Sequence, residues 1–156
     1  MTGGLVRVGG DVGQRAGAAY PGSRHGMNRG VILVEGDAGP YLGETMRRGL
    51  VAVRGEAGRH AGAHLVAGSL FLLGGCAGPP GAAMRRGTIL TATEPELLPG
   101  FRYACTYRPP FLPFYWRRLR RRYGFEPGGG LEERRFRRYS GDFTELGRGE
   151  VLVPEG

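Results

Sequence analysis

Apolar residues recur through the first part of the chain in a fixed register. Three segments align without gaps: GVILVEGDAGPYLGETMRR from Gly30, GLVAVRGEAGRHAGAHLVA from Gly49 and GSLFLLGGCAGPPGAAMRR from Gly68, a period of 19 residues. A further segment begins at Gly87, and an earlier one at Gly4 carries seven extra residues around Tyr20 to Gly26. Two places after each starting glycine stand Val6, Ile32, Val51, Leu70 and Ile89; four places after stand Val8, Val34, Val53 and Leu72. Val12, Ala38, Ala57 and Cys76 form a third row, and Met27, Met46, Leu65 and Met84 a fourth. Alternation in β-branched and aliphatic residues is the pattern of a strand with a buried face. No helical period is sustained here, and a glycine every three to six residues would cost a helix ~1 kcal/mol each.

The glycines keep the same register. Gly30, Gly36, Gly39, Gly43, Gly49, Gly55, Gly58, Gly62, Gly68, Gly74 and Gly81 read as structural corners with positive φ, where a Cβ would clash. The fold expected is all-β, a right-handed parallel β-helix: a single-stranded solenoid with ~19 residues per coil, equivalent residues stacking ~4.8 Å apart. Each coil would bury its neighbour's face. A left-handed acyltransferase-type β-helix needs a six-residue period, which this register contradicts. Residues 1–93 read as the coils and 94–156 as a basic, aromatic and proline-rich C-terminal cap, because an open strand edge needs covering. Within the cap, Pro113 opens a short helix that sets Leu112, Trp116, Leu119 and Tyr123 on one face. Glu126 to Gly130 is a flexible break, and Glu150 to Val153 a final strand. The N-terminal end shows no cap, so the expectation is a partner over it or a start upstream of Met1.

Composition narrows the class. Glycine supplies 31 of 156 residues, and 40% are hydrophobic, too many for a disordered chain. The glycines are not at every third place, which excludes collagen. The N-terminus has no charged-then-apolar leader pattern, and the longest apolar run, Leu65 to Gly78, is shorter than the ~20 residues of a membrane span. Two cysteines are too few for a disulfide scaffold, so a cytoplasmic protein is expected.

Candidate chemistry is sparse. His60 and His64 are four residues apart but have no third ligand in sequence, where zinc takes three or four; His25 lies in the insertion. Cys76 sits in an apolar row as a small hydrophobe, and Cys105, in the cap, has no identifiable base beside it. No phosphate loop or dinucleotide fingerprint is present. No catalytic residue and no metal site are expected.

Charge is the most informative surface feature. All 22 basic residues are arginine, against 14 acidic ones, for a net charge of +8. Arg102, Arg108, Arg117, Arg118, Arg120, Arg121 and Arg122 form a stretch with no acid, and Arg134, Arg135, Arg137 and Arg138 a second cluster beside Glu132 and Glu133. A solvated face whose arginine stems cover aromatics, an acidic partner surface and nucleic acid all remain open for them. Arg47 and Arg48 stack against Arg85 and Arg86, with Arg29 at the same edge and Val66 and Ala67 between, as a candidate partner-facing strip.

The glycine-spaced segments resemble the domain shared by the C-terminal part of the glutamate synthase large subunit and the C component of formylmethanofuran dehydrogenase. The stretch LPGFRYACTYRPPFLPFYWRRL, followed by RFRRYSGDFTELGRGEVLV, resembles the tail of the bacterial relatives of that component. These belong to the formyltransferase/hydrolase complex of tetrahydromethanopterin-dependent one-carbon metabolism. The resemblance runs from about Gly4 to Val153. It implies a non-catalytic scaffold subunit beside amidohydrolase-type, formyltransferase-type and, in the dehydrogenase, pterin-carrying subunits. No cofactor is then expected on this chain alone. A methanofuran-type coenzyme, with zinc or a molybdenum or tungsten pterin in other subunits, would serve the complex. Coenzymes of this type carry glutamate chains, which makes Arg117, Arg118, Arg120, Arg121 and Arg122 candidate polyglutamate contacts through guanidinium–carboxylate pairing. Partners are expected to be other subunits, not nucleic acid or membrane. Family members are longer at the N-terminus, implying a short start here. The competing readings are a glutamate synthase-type spacer domain, against which the tail argues, and a free-standing basic binding module. Dehydrogenase and hydrolase contexts both fit.

Overall fold

In the computed structural model, which describes residues 1–156, the chain runs through β1 (Thr2–Val8), β2 (Arg29–Val34), β3 (Leu50–Val53), β4 (Ser69–Leu72), β5 (Arg86–Thr91), β6 (Arg102–Tyr107), α1 (Leu112–Tyr123), β7 (Phe136–Gly141) and β8 (Arg148–Pro154). The strands form one 8-stranded sheet in the order β1-β2-β3-β4-β5-β8-β7-β6. β1 to β5 are parallel neighbours, β8 adds parallel to β5, and β7 and β6 continue antiparallel. Ile32 stands opposite Val51, Val51 opposite Leu70 and Leu70 opposite Ile89. Val6 pairs with Ile32 across the seven-residue insertion, and Ile89 pairs with Val151 of the last strand.

The expectation of a right-handed parallel β-helix is corrected by this topology. The molecule is a small, open, mixed-sheet domain with one short helix, not a long parallel solenoid. The physical reason lies in the turns between the strands. There Val12, Ala38, Ala57 and Cys76 are joined only by isolated bridges. Positive-φ residues such as Tyr41, Gly43, His60, Gly62 and His64 break any longer strand before it starts. The second reason is the C-terminal segment, which adds three strands to the same sheet, two of them antiparallel pairings. β6 and β7 have no counterpart in the sequence expectation.

The glycines divide by cause. Gly30, Gly43, Gly49, Gly62, Gly68 and Gly81 have positive φ, whereas Gly36, Gly39, Gly55, Gly58 and Gly74 do not. Gly49, at φ 111, combines a left-handed backbone with the Met27 methyl 2.6 Å from where a Cβ would be. Gly55 has an ordinary φ and lacks space instead, because a Cβ there would lie 2.6 Å from the Gly36 carbonyl oxygen. Beside it, Asp11 accepts the Asp37 N–H at 2.8 Å and Asp37 accepts the Glu56 N–H at 2.7 Å. Side-chain acceptors thus satisfy turn donors that no strand can pair.

Both faces of the central strands are buried. Ile32, Val51, Leu70, Ile89 and Val151 point into one cluster, closed by Met27, Met46, Leu65 and Met84 from the turns. Leu33, Ala52, Phe71, Leu90 and Leu152 point into a second, closed by Leu112, Trp116, Leu119, Phe125 and Phe136. Continuous apolar runs such as VILV and LVAV are what two-sided burial requires. α1 begins with Pro113 in its first turn, where the missing N–H costs nothing. It ends at Gly124, φ 59, whose N–H bonds back to the Arg120 carbonyl. Leu112, Trp116 and Leu119 are its buried face. Phe71 meets Trp116 at 5.1 Å and Tyr115 at 5.2 Å between ring centroids, and Ser69 hydrogen-bonds the Tyr115 hydroxyl at 3.1 Å. No helix is long and apolar enough to cross a membrane.

Candidate functional site

The side chains that could carry function are the arginines on the sheet and on α1. Burial of Leu112, Trp116 and Leu119 turns Arg117, Arg118, Arg120, Arg121 and Arg122 outward, and all five are exposed. They do not act as one cluster. Arg120 is held between Glu126, at 3.0 Å, and Glu132; its side-chain hydrogen bond to Glu126 is the main reason its basicity is raised above the ordinary arginine value. Arg118 donates to the Tyr123 hydroxyl at 3.3 Å. Arg117, Arg121 and Arg122 have no carboxylate partner, although Glu132 and Glu133 line the depression of about 350 Å³ beside Arg117, Arg120 and Arg121. Arg120, Arg121 and Arg122 occupy the last turn, where cations are favoured by the helix dipole.

A second set lies where the strands begin. Arg29 and Arg48 line a depression of about 480 Å³ with Tyr115 and Arg118 of α1. Arg47, Arg48, Arg85 and Arg86 line the next, with Val66, Ala67 and Leu146. Arg148 stands in register opposite Arg86. The sequence pattern brings Arg29, Arg47, Arg48, Arg85 and Arg86 to this strip; Arg148 and Arg118 come from the C-terminal segment and carry no periodic signal.

The remaining candidates separate. His60 stacks on Tyr41 with centroids 4.9 Å apart, while His25 and His64 line a depression of about 520 Å³ with Arg24, Arg47, Arg85 and Glu145. No group of three or more His, Cys, Asp or Glu converges. Burial pushes the Cys76 thiol above its ordinary value, and Cys105 is exposed. Sequence reasoning passed over Asp142, which is buried and accepts N–H bonds from Ala83 at 3.0 Å and Thr144 at 2.9 Å. Burial alone would raise its carboxyl, but these backbone donors hold it below the usual carboxylate value. It ties the β7–β8 turn to the turn before Met84.

No family model and no curated protein matches the chain. Among solved structures, the chain is similar to a chain of the formyltransferase/hydrolase complex (FhcABCD) from Methylorubrum extorquens, a crystal structure in complex with methylofuran. The two are 35% identical with a TM-score of 0.89; the match covers 99% of this chain and 57% of that one, so this chain spans just over half the length of its relative. At this identity and TM-score, this chain and that chain of the formyltransferase/hydrolase complex share one fold over nearly the whole length of this chain.

Proposed function

We propose that the chain is the non-catalytic structural subunit, the C component, of a formyltransferase/hydrolase complex or a formylmethanofuran dehydrogenase-like relative in tetrahydromethanopterin-dependent one-carbon metabolism. The observation that carries this is the likeness over 99% of the chain to a member of such a complex. In this reading a rigid sheet buried on both faces holds the catalytic subunits in register, and the metal or pterin chemistry belongs to those subunits. Cytoplasmic location follows from the same reading. The matched structure contains methylofuran, and the same reading offers Arg117, Arg118, Arg121 and Arg122 as contacts for the glutamate chain of such a coenzyme, with Arg120 already engaged by Glu126 and Glu132.

The test is co-expression of the tagged chain with the amidohydrolase-type and formyltransferase-type subunits, followed by native mass measurement. Co-elution in a fixed ratio is expected; elution of the chain alone would contradict the assignment. For the coenzyme contact, Arg117→Gln, Arg121→Gln and Arg122→Gln together should weaken retention of the glutamate-tailed furan by the assembled complex, and unchanged retention would remove that contact.

A further inference from the structure

Arg7, Arg15, Arg54, Arg85, Arg120, Arg135, Arg137 and Arg138 meet the chain's own carboxylates; among the arginines that do not, those along the strand starts stand in a row at strand spacing. Arg7 and Arg54 share Glu35, Arg135 faces Glu155, Arg137 pairs with Glu94 and Arg138 with Glu150. Arg29, Arg48, Arg86 and Arg148 have no such partner, and each directly precedes a glycine at a strand's beginning. Next to them, Arg85 reaches a carboxylate only at 3.6 Å, that of Glu145. All are exposed. The register fixes their spacing. Arg86 and Arg148 stand directly opposite one another on adjacent strands, about 4.8 Å apart along the sheet. Arg48 shares one depression with Arg29 and another with Arg86. A row of like charges at strand spacing repels itself and stays hydrated unless something acidic covers it.

The gap in the row says what kind of cover. Val66 and Ala67 interrupt the arginines and line the same depression as Leu146, a leucine left 54% exposed. Arginine around a small apolar centre is the composition of a protein interface. A single-stranded nucleic-acid site would set exposed aromatics for base stacking, but the nearby Tyr115 is half-buried and hydrogen-bonded to Ser69. We propose that the row Arg29, Arg48, Arg86 and Arg148, with Leu146 at its margin, is the docking face for a carboxylate-bearing surface of a partner protein. This rests on the assembly reading above and names the face through which assembly occurs.

The experiment uses the chain co-expressed with the other subunits of the complex. Arg48→Glu, Arg86→Glu and Arg148→Glu together should abolish partner retention, whereas Arg108→Glu and Arg134→Glu, at exposed arginines away from the row, should leave it intact. The triple Gln variant separates charge from folding. Its melting temperature should equal or exceed that of the wild type, because repulsion is relieved, while retention falls about tenfold or more. If the wild type retains no partner, the assembly reading fails and the face with it. If wild type and row variant retain partners equally, the face proposal alone is overturned. A row variant that keeps its partners but loses duplex DNA would make the strip a nucleic-acid contact, against the proposal. A lowered melting temperature for the Gln variant would make the arginine stems structural, which also overturns it.

Discussion

Leu70 and Phe71 are neighbours on β4, both fully buried, and they face opposite sides of the sheet. Leu70 packs among Ile32, Val51 and Ile89 and is closed over by methionines from the turns of the same 19-residue segments. Phe71 packs under Trp116, from a helix that follows only after β5 and β6. One side is thus closed mainly by the turns of its own segments, and the other by α1 together with Phe125, Leu131 and Phe136 that follow it. On the first side the contacts recur from one segment to the next. The second depends on one docking event, in which a few aromatics contribute most of the buried area.

The largest expected effects test that second side. Phe71→Ala and Trp116→Ala should each destabilise the fold by about 3–5 kcal/mol, and Leu70→Ala on the opposite side by about 2–5 kcal/mol, measured by urea unfolding. A Phe71→Ala cost of only a few tenths would mean that the helix does not cover this face. Next is the clasp at Asp142. Asp142→Asn removes the charge and one of the two oxygens that accept from Ala83 and Thr144 and should cost about 1.5–3 kcal/mol. Because the folded carboxyl titrates below its ordinary value, its contribution is fully present above the unfolded value of about 3.9. That contribution is lost as pH falls through the lower folded value. The urea midpoint of the wild type should therefore drop more steeply in acid than that of Asp142→Asn, and parallel curves would remove this role.

On the repeat side, Gly55→Ala should cost about 1–3 kcal/mol from overpacking against the Gly36 carbonyl. Gly9→Ala, with nothing near its Cβ position, should stay within about 0.5 kcal/mol. Equal costs at the two glycines would remove close approach as the cause. Tyr115→Phe, which deletes the bond to Ser69, should cost about 0.5–1.5 kcal/mol without changing the unfolding slope.

The repeat side was legible in the sequence because burial there is periodic. The spacing of Ile32, Val51, Leu70 and Ile89 is the pairing register itself. The helix was legible from Pro113 and the spacing of Leu112, Trp116 and Leu119. Where α1 docks was not. The signal was present in Leu33, Ala52 and Phe71, apolar at positions that a one-sided strand would leave polar, but nothing local names what covers them. The solenoid expectation failed for a related reason. Glycine periodicity marks where the chain turns, not whether the turns widen into strands, and β6 and β7 lie in a segment with no repeat. For the candidate site, the strip of Arg47, Arg48, Arg85 and Arg86 followed from register. Arg148 did not, because a parallel pairing of β5 with β8 carries no sequence period. The capture of Arg120 by Glu126 and Glu132 likewise depends on how the loop after α1 folds back.

The difference between the two faces is measured most directly by paired double-mutant cycles. Phe71→Ala with Trp116→Ala should show a coupling of about 1 kcal/mol or more, as for side chains in contact. Leu70→Ala with Trp116→Ala, on opposite sides of the same strand, should be additive within about 0.5 kcal/mol. Equal coupling in the two cycles would contradict a sheet whose faces are buried independently, one by its own repeat and one by the helix.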